Sequence, residues 1–157
     1  MRILHVIPRW IGGGPERHLV ELARHDRDRP IDVQRRVLVL DRPLSAPLLV
    51  AARRVGLTVV PDAWEHVVDR EVAAADLVDV TYWNHPALLA LLRRPLPAAR
   101  VVVRSAVAGD TLPQIIPPEL VPFPDAWILS APPGHGARHV AAGHRHVVHV
   151  PSLADMA

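Results

Sequence analysis

Three consecutive glycines, a proline and a charged pair, Gly12-Gly13-Gly14-Pro15-Glu16-Arg17, stand between an apolar run and an amphipathic stretch. Glycine lets a backbone approach a ligand closely, and the first turn of a helix offers free N–H groups to an anion. Three glycines exceed what a tight turn into a proline-started helix requires. Gly12, Gly13, Gly14, Glu16 and Arg17 are therefore the first candidate binding group. The dinucleotide fingerprint G-x-G-x-x-G is not met, because Arg17 stands where its third glycine belongs.

A second group lies where later apolar runs end: Asn84 and His85, Arg104 and Ser105, then Ser130. A guanidinium holds phosphate or carboxylate, and an imidazole serves as acid, base or hydrogen-bond donor. Any one of these residues does no more than begin a loop; their common position at run ends is the informative fact. A third group comprises His135, His139, His144, His146 and His149. His135 and His139 have the i, i+4 spacing that shares a metal on a helix. However, H-E-x-x-H is absent and no carboxylate joins the cluster before Asp155, so no metal site is assigned.

These residues must be positioned by elements, and short apolar runs alternating with amphipathic stretches predict a parallel sheet with helical crossovers. Strands are predicted at Ile3–Ile7, Val37–Leu40, Leu57–Val60, Leu77–Tyr82, Val101–Val103, Ala126–Leu129 and Val147–Val150. Helices are predicted at Glu16–Arg24, Leu48–Val55 (closed by Gly56), Val67–Ala75 and Pro86–Arg94. With about five helices, this is one doubly wound, mostly parallel α/β domain of Rossmann-like build spanning residues 1–157. In such a sheet the glycine loop and the polar run ends face one crevice at the strand carboxyl ends. The proline-rich stretch from Leu112 to Pro124 is the longest irregular segment, of a length that usually marks function.

Composition removes several alternatives. The 157 residues suit one domain with a real core, and with only six aromatic residues that core is expected to consist of Val, Leu, Ile and Ala. Cysteine is absent, so thiolate nucleophiles and metal sites are excluded. All 18 basic residues are Arg, which removes P-loop, kinase and Schiff-base lysines. No Ser lies in G-x-S-x-G. The pI of about 10.3 follows from a small excess of Arg over 16 acids, and the net charge is only +2. The arginine pairs at 35–36, 53–54 and 93–94 read as solvated ends of elements, and nucleic acid is not an expected partner. Neither a signal peptide nor a run of about 18 apolar residues is present, so a cytoplasmic location is expected, with peripheral membrane contact left open.

Arg2-Ile3-Leu4-His5-Val6-Ile7-Pro8, the Gly12–Gly14 loop and Glu16-Arg17-His18-Leu19 resemble the opening of retaining glycosyltransferases of the GT-B kind, group 1 (family 4). Trp83-Asn84-His85-Pro86 and the stretch from Arg104 to Gln114 fall where that family places acceptor-side loops. The resemblance implies the N-terminal, acceptor-side half of a GT-B enzyme, which moves a sugar from a sugar nucleotide to an acceptor without a metal or other cofactor. It implies that Gly12, Gly13 and Gly14 approach the donor diphosphate or the acceptor. The donor-binding C-terminal domain is absent from these 157 residues, so a second domain or subunit is an expected partner. Such enzymes often carry a His after the fifth strand. Ala106 stands about there, which leaves His85 as the rim histidine assigned a catalytic part, with Asn84, Arg104, Ser105 and Ser130 on substrate. Two other readings are a non-catalytic binding or scaffold domain derived from that fold, and a nucleotide-cofactor domain with Asp41 holding a ribose.

Overall fold

The computed structural model describes residues 1–29, 32–61, 64–97, 99–109, 111–112, 114–130 and 137–150. The strands are β1 (Arg2–Ile7), β2 (Gln34–Val39), β3 (Thr58–Pro61), β4 (Leu77–Thr81), β5 (Arg100–Ser105), β6 (Ala126–Leu129) and β7 (Val147–His149). Between them run α1 (Gly14–Arg27), α2 (Ala46–Arg54), α3 (Glu65–Ala73), α4 (Pro86–Leu92) and α5 (Arg138–Gly143), with a 3-10 turn at Pro118–Leu120. The strands form one parallel sheet in the order β3-β2-β1-β4-β5-β6-β7, the Rossmann-like arrangement.

Two compact units divide the chain: Met1–Val78 with Leu96–Ala99, and Asp79–Pro95 with Arg100–Ala157. In the first, β1 pairs with β2 from Arg2↔Gln34 to Ile7↔Val39, and β2 with β3 from Arg36↔Thr58 to Val39↔Pro61. Five consecutive buried residues in β1 are what a strand covered on both faces demands. Helix α1 buries Leu19, Val20 and Ala23, a helical stripe, over a core containing Ile7, Val37, Val39 and Leu57. Gly56, at φ +76°, ends the turn that leads from α2 into β3. In the second unit β5, β6 and β7 pair in parallel, from Val102↔Ala126 and Trp127↔Val147.

Two expectations are corrected. The core is not purely aliphatic: Trp10, Tyr82 and Trp127 are among the largest fully buried side chains. Trp127 donates its indole N–H to the Val121 carbonyl at 2.9 Å and meets Tyr82 edge-on, with ring centroids 6.3 Å apart. Nor is Arg35 solvated, although Arg36 beside it is exposed as expected. Strand β2 begins at Gln34, three residues before the apolar run, and both arginines lie within it. Arg35 pairs with Asp26, the two side chains only 14% and 11% exposed. Arg36 grips Glu71 with two nitrogens at 2.7 and 3.1 Å. Burial disfavours the Glu71 carboxylate, but hydrogen bonds and charge from Arg36, then Arg70, outweigh it and hold its pKa below the ordinary value.

Candidate functional site

In the first unit the chain leaves β1 and must reverse into α1, and the sequence supplies glycine at that reversal. Gly12 adopts φ +100°, a conformation that L side chains rarely take. Gly13 is the N-cap of α1 in extended conformation, and no side chain caps the helix there. Pro15 sits in the first turn, where its missing N–H costs nothing. A Cβ at Gly12 or Gly14 would meet nothing within 4 Å. Packing therefore does not demand glycine at position 14; the turn is left open.

Gly13 has a different reason. A Cβ there would lie 2.9 Å from Oε2 of Glu16, so the glycine makes room for that carboxylate. Glu16 is 6% exposed, and its Oε1 accepts the Ile11 N–H at 3.3 Å. Its Oε2 and the Trp10 indole nitrogen are buried without a hydrogen-bond partner among the described residues. Arg17 lies outside, its Nε donating to the Gly12 carbonyl at 3.0 Å and bracing the turn. All five residues proposed from the glycine motif thus occur in one local structure. Asp41, considered for a ribose contact, lies two residues past β2 and pairs with Arg9 at 3.5 Å.

In the second unit the remaining candidates stand at the carboxyl ends of β4, β5 and β6. His85 is the N-cap of α4, and its Nδ1 accepts the Ala87 N–H at 3.3 Å. The Asn84 N–H donates to the side-chain oxygen of Gln114 at 2.9 Å. Arg104 and Ser105 are the last residues of β5 rather than loop residues. Arg104 pairs with Asp79 at 3.2 Å, and the fully buried Ser105 donates its hydroxyl to the Val107 carbonyl at 3.0 Å. The Ser130 N–H donates to the Ser105 carbonyl at 2.9 Å, joining those two.

Three residues of this rim were not singled out from sequence. Gln114, in the proline-rich stretch, holds Asn84; Asp79 holds Arg104. Tyr82 donates its hydroxyl to the Ile115 carbonyl at 2.7 Å, and burial pushes its pKa up to about 12. The long irregular segment pointed toward Gln114 and Ile115, and the resemblance over Arg104 to Gln114 reached the first of them.

Of the histidines, His135 lies outside the described residues. His139 shares a 2.9 Å hydrogen bond with the Ile116 carbonyl. His144 has Nε2 2.9 Å from the Pro124 carbonyl and Nδ1 beside both the carbonyl and the N–H of His146, at 3.0 and 3.1 Å, so its ring is engaged in either tautomer. Among the described residues no group of three His, Asp or Glu is placed to hold a metal, and no helix is long and apolar enough to cross a membrane. No protein-family model matches this sequence, and neither curated proteins nor solved structures give a significant match to it.

Proposed function

We propose that the chain is the acceptor-side half of a GT-B glycosyltransferase, acting with a donor-binding domain on the same or a second polypeptide. The observation that carries this reading is the open glycine turn. Gly12 and Gly14 leave empty space beside the backbone, and the N-terminus of a 14-residue helix has no side-chain cap. Free N–H groups at such a turn suit a diphosphate or the polar groups of a sugar. In this reading the turn approaches the donor diphosphate, and Asn84, His85 and Arg104 belong to the acceptor side, with His85 in the catalytic part. Fixed backbone dipoles would stabilise the leaving diphosphate without a metal.

The test is capture of the chain from its native cells, followed by incubation of the captured assembly with UDP-, GDP- and ADP-glucose. Release of a nucleoside diphosphate that is lost with Gly14→Ala supports the proposal. A chain that is recovered alone, monomeric and silent sinks it.

A specific observation favours a second reading, a non-catalytic binding domain on the same fold. The polar groups of the rim are committed to one another: Arg104 to Asp79, Ser105 to Val107, the His85 ring to the start of α4. Binding of a glycan without donor turnover by the intact assembly would decide for it.

A further inference from the structure

The carboxyl end of β1 carries the glycine turn; the amino end of β2 carries something else. There, where α1 and α2 finish, lies a cleft of about 580 Å³. That size falls in the roughly 300–1,000 Å³ range of small-molecule sites. Among its described lining residues are four arginines, Arg27, Arg29, Arg35 and Arg36, against one acid, Asp26. Helix carbonyl ends attract cations, and Arg27, Arg53 and Arg54 in the last turns of α1 and α2 meet that demand. Arg29 and Arg35 belong to no helix and exceed it.

Arg35 is the informative residue. An apolar side chain at this largely buried strand position would be cheaper, since a buried ion pair is a weak source of stability. Instead its guanidinium is fixed by Asp26 through Nε and by the buried His5, whose Nε2 accepts from Nη1 at 3.3 Å. Two of the five N–H donors of a guanidinium are thereby spent. The others remain on a side chain already held in one orientation. Arg36 is held in the same way by Glu71, and Arg27 by Asp28 at 3.2 Å and the Arg54 carbonyl at 3.4 Å. Arg29 is exposed, and its side chain has no partner among the described residues. Braced guanidiniums beside an unneutralised one are suited to a planar or tetrahedral oxyanion, which accepts paired N–H bonds.

We propose that this cleft binds a phosphate-bearing small molecule, through Arg29 and the unspent donors of Arg35, with Arg27 and Arg36 supplying further charge. The site is independent of the glycosyltransferase reading, because it uses none of the glycine-turn residues.

The probe is inorganic pyrophosphate, titrated into the full chain by calorimetry. A parallel arm sediments the chain with phosphatidylcholine vesicles, with and without phosphatidic acid, so that a free phosphate and a lipid headgroup are distinguished. Saturable pyrophosphate binding that Arg29→Gln weakens about tenfold or more supports a soluble ligand. Sedimentation only with phosphatidic acid, weakened by the same substitution, supports the same phosphate site with a headgroup as its source. Arg29 is exposed, so its variant should fold; a thermal scan checks this. Arg145→Gln, an exposed arginine of the second unit, should leave binding unchanged. No binding in either arm, or equal loss from Arg29→Gln and Arg145→Gln, would overturn the proposal.

Discussion

The glycine turn of the first unit and the strand ends of the second both place polar groups where parallel strands finish, but they hold them in opposite ways. Around Gly12–Gly14 the available donors are main-chain N–H groups, and the space beside Gly12 and Gly14 is empty. Around β4, β5 and β6 the groups are side chains already engaged by neighbours: Arg104 with Asp79, Tyr82 with Ile115, Gln114 with Asn84. A backbone site costs nothing to keep empty, since water satisfies its exposed N–H groups. A side-chain site must be stabilised by its own contacts until a ligand arrives. Substitutions in the second unit should therefore act on stability, and those in the glycine turn on binding.

The largest effect is expected at Gly109. It adopts φ +75°, and an added Cβ would lie 2.6 Å from Cδ1 of the fully buried Ile116. Gly109→Ala combines backbone strain with overpacking and should cost about 3 kcal/mol, read as a lowered urea midpoint. An unchanged midpoint would break the contrast at its strongest point.

Tyr82→Phe is next. It removes the donor to the Ile115 carbonyl and should cost about 1 kcal/mol near neutral pH. The sign of the pH effect follows from a folded pKa raised to about 12 from 10.0. The stability contributed by the neutral phenol is fully present below pH 10 and is lost as pH rises through about 12. Alkaline denaturation of the Phe variant should lack that component, and identical alkaline curves would count against the buried hydroxyl.

The smallest effect on stability belongs to Gly14→Ala. Nothing stands within 4 Å of the new Cβ, so the variant should be neutral or up to about 0.5 kcal/mol more stable. The same substitution should abolish binding of a diphosphate at the turn. Substantial destabilisation would mean that this glycine serves packing rather than a ligand.

Much of the fold can be read from local pattern, because an apolar run bounded by turn residues is nearly sufficient for a buried parallel strand. Ala126–Leu129 was placed without error for that reason. The beginning of β2 was not, since Gln34, Arg35 and Arg36 look like loop residues until their partners are known. Those partners, Asp26 and Glu71, lie 9 and 35 positions away. Trp10 stands three residues past the end of β1, beyond Pro8 and Arg9, but a bridge to Leu44 accompanies its full burial in the core. In the candidate site the glycine turn was legible, because φ and open space are local matters. The Arg104–Asp79 pair was not, because it depends on which strand lies beside which.

The buried tryptophans also give the protein a built-in optical readout. Each unit holds one indole wholly removed from water, Trp10 in the first and Trp127 in the second, and one at the surface, Trp64 and Trp83 respectively. With the two surface indoles replaced by Phe, emission shifts red only as a core opens. A further replacement of Trp10 or Trp127 assigns that signal to one unit. Two single-indole proteins would then report separately whether the halves of this chain melt together or in sequence.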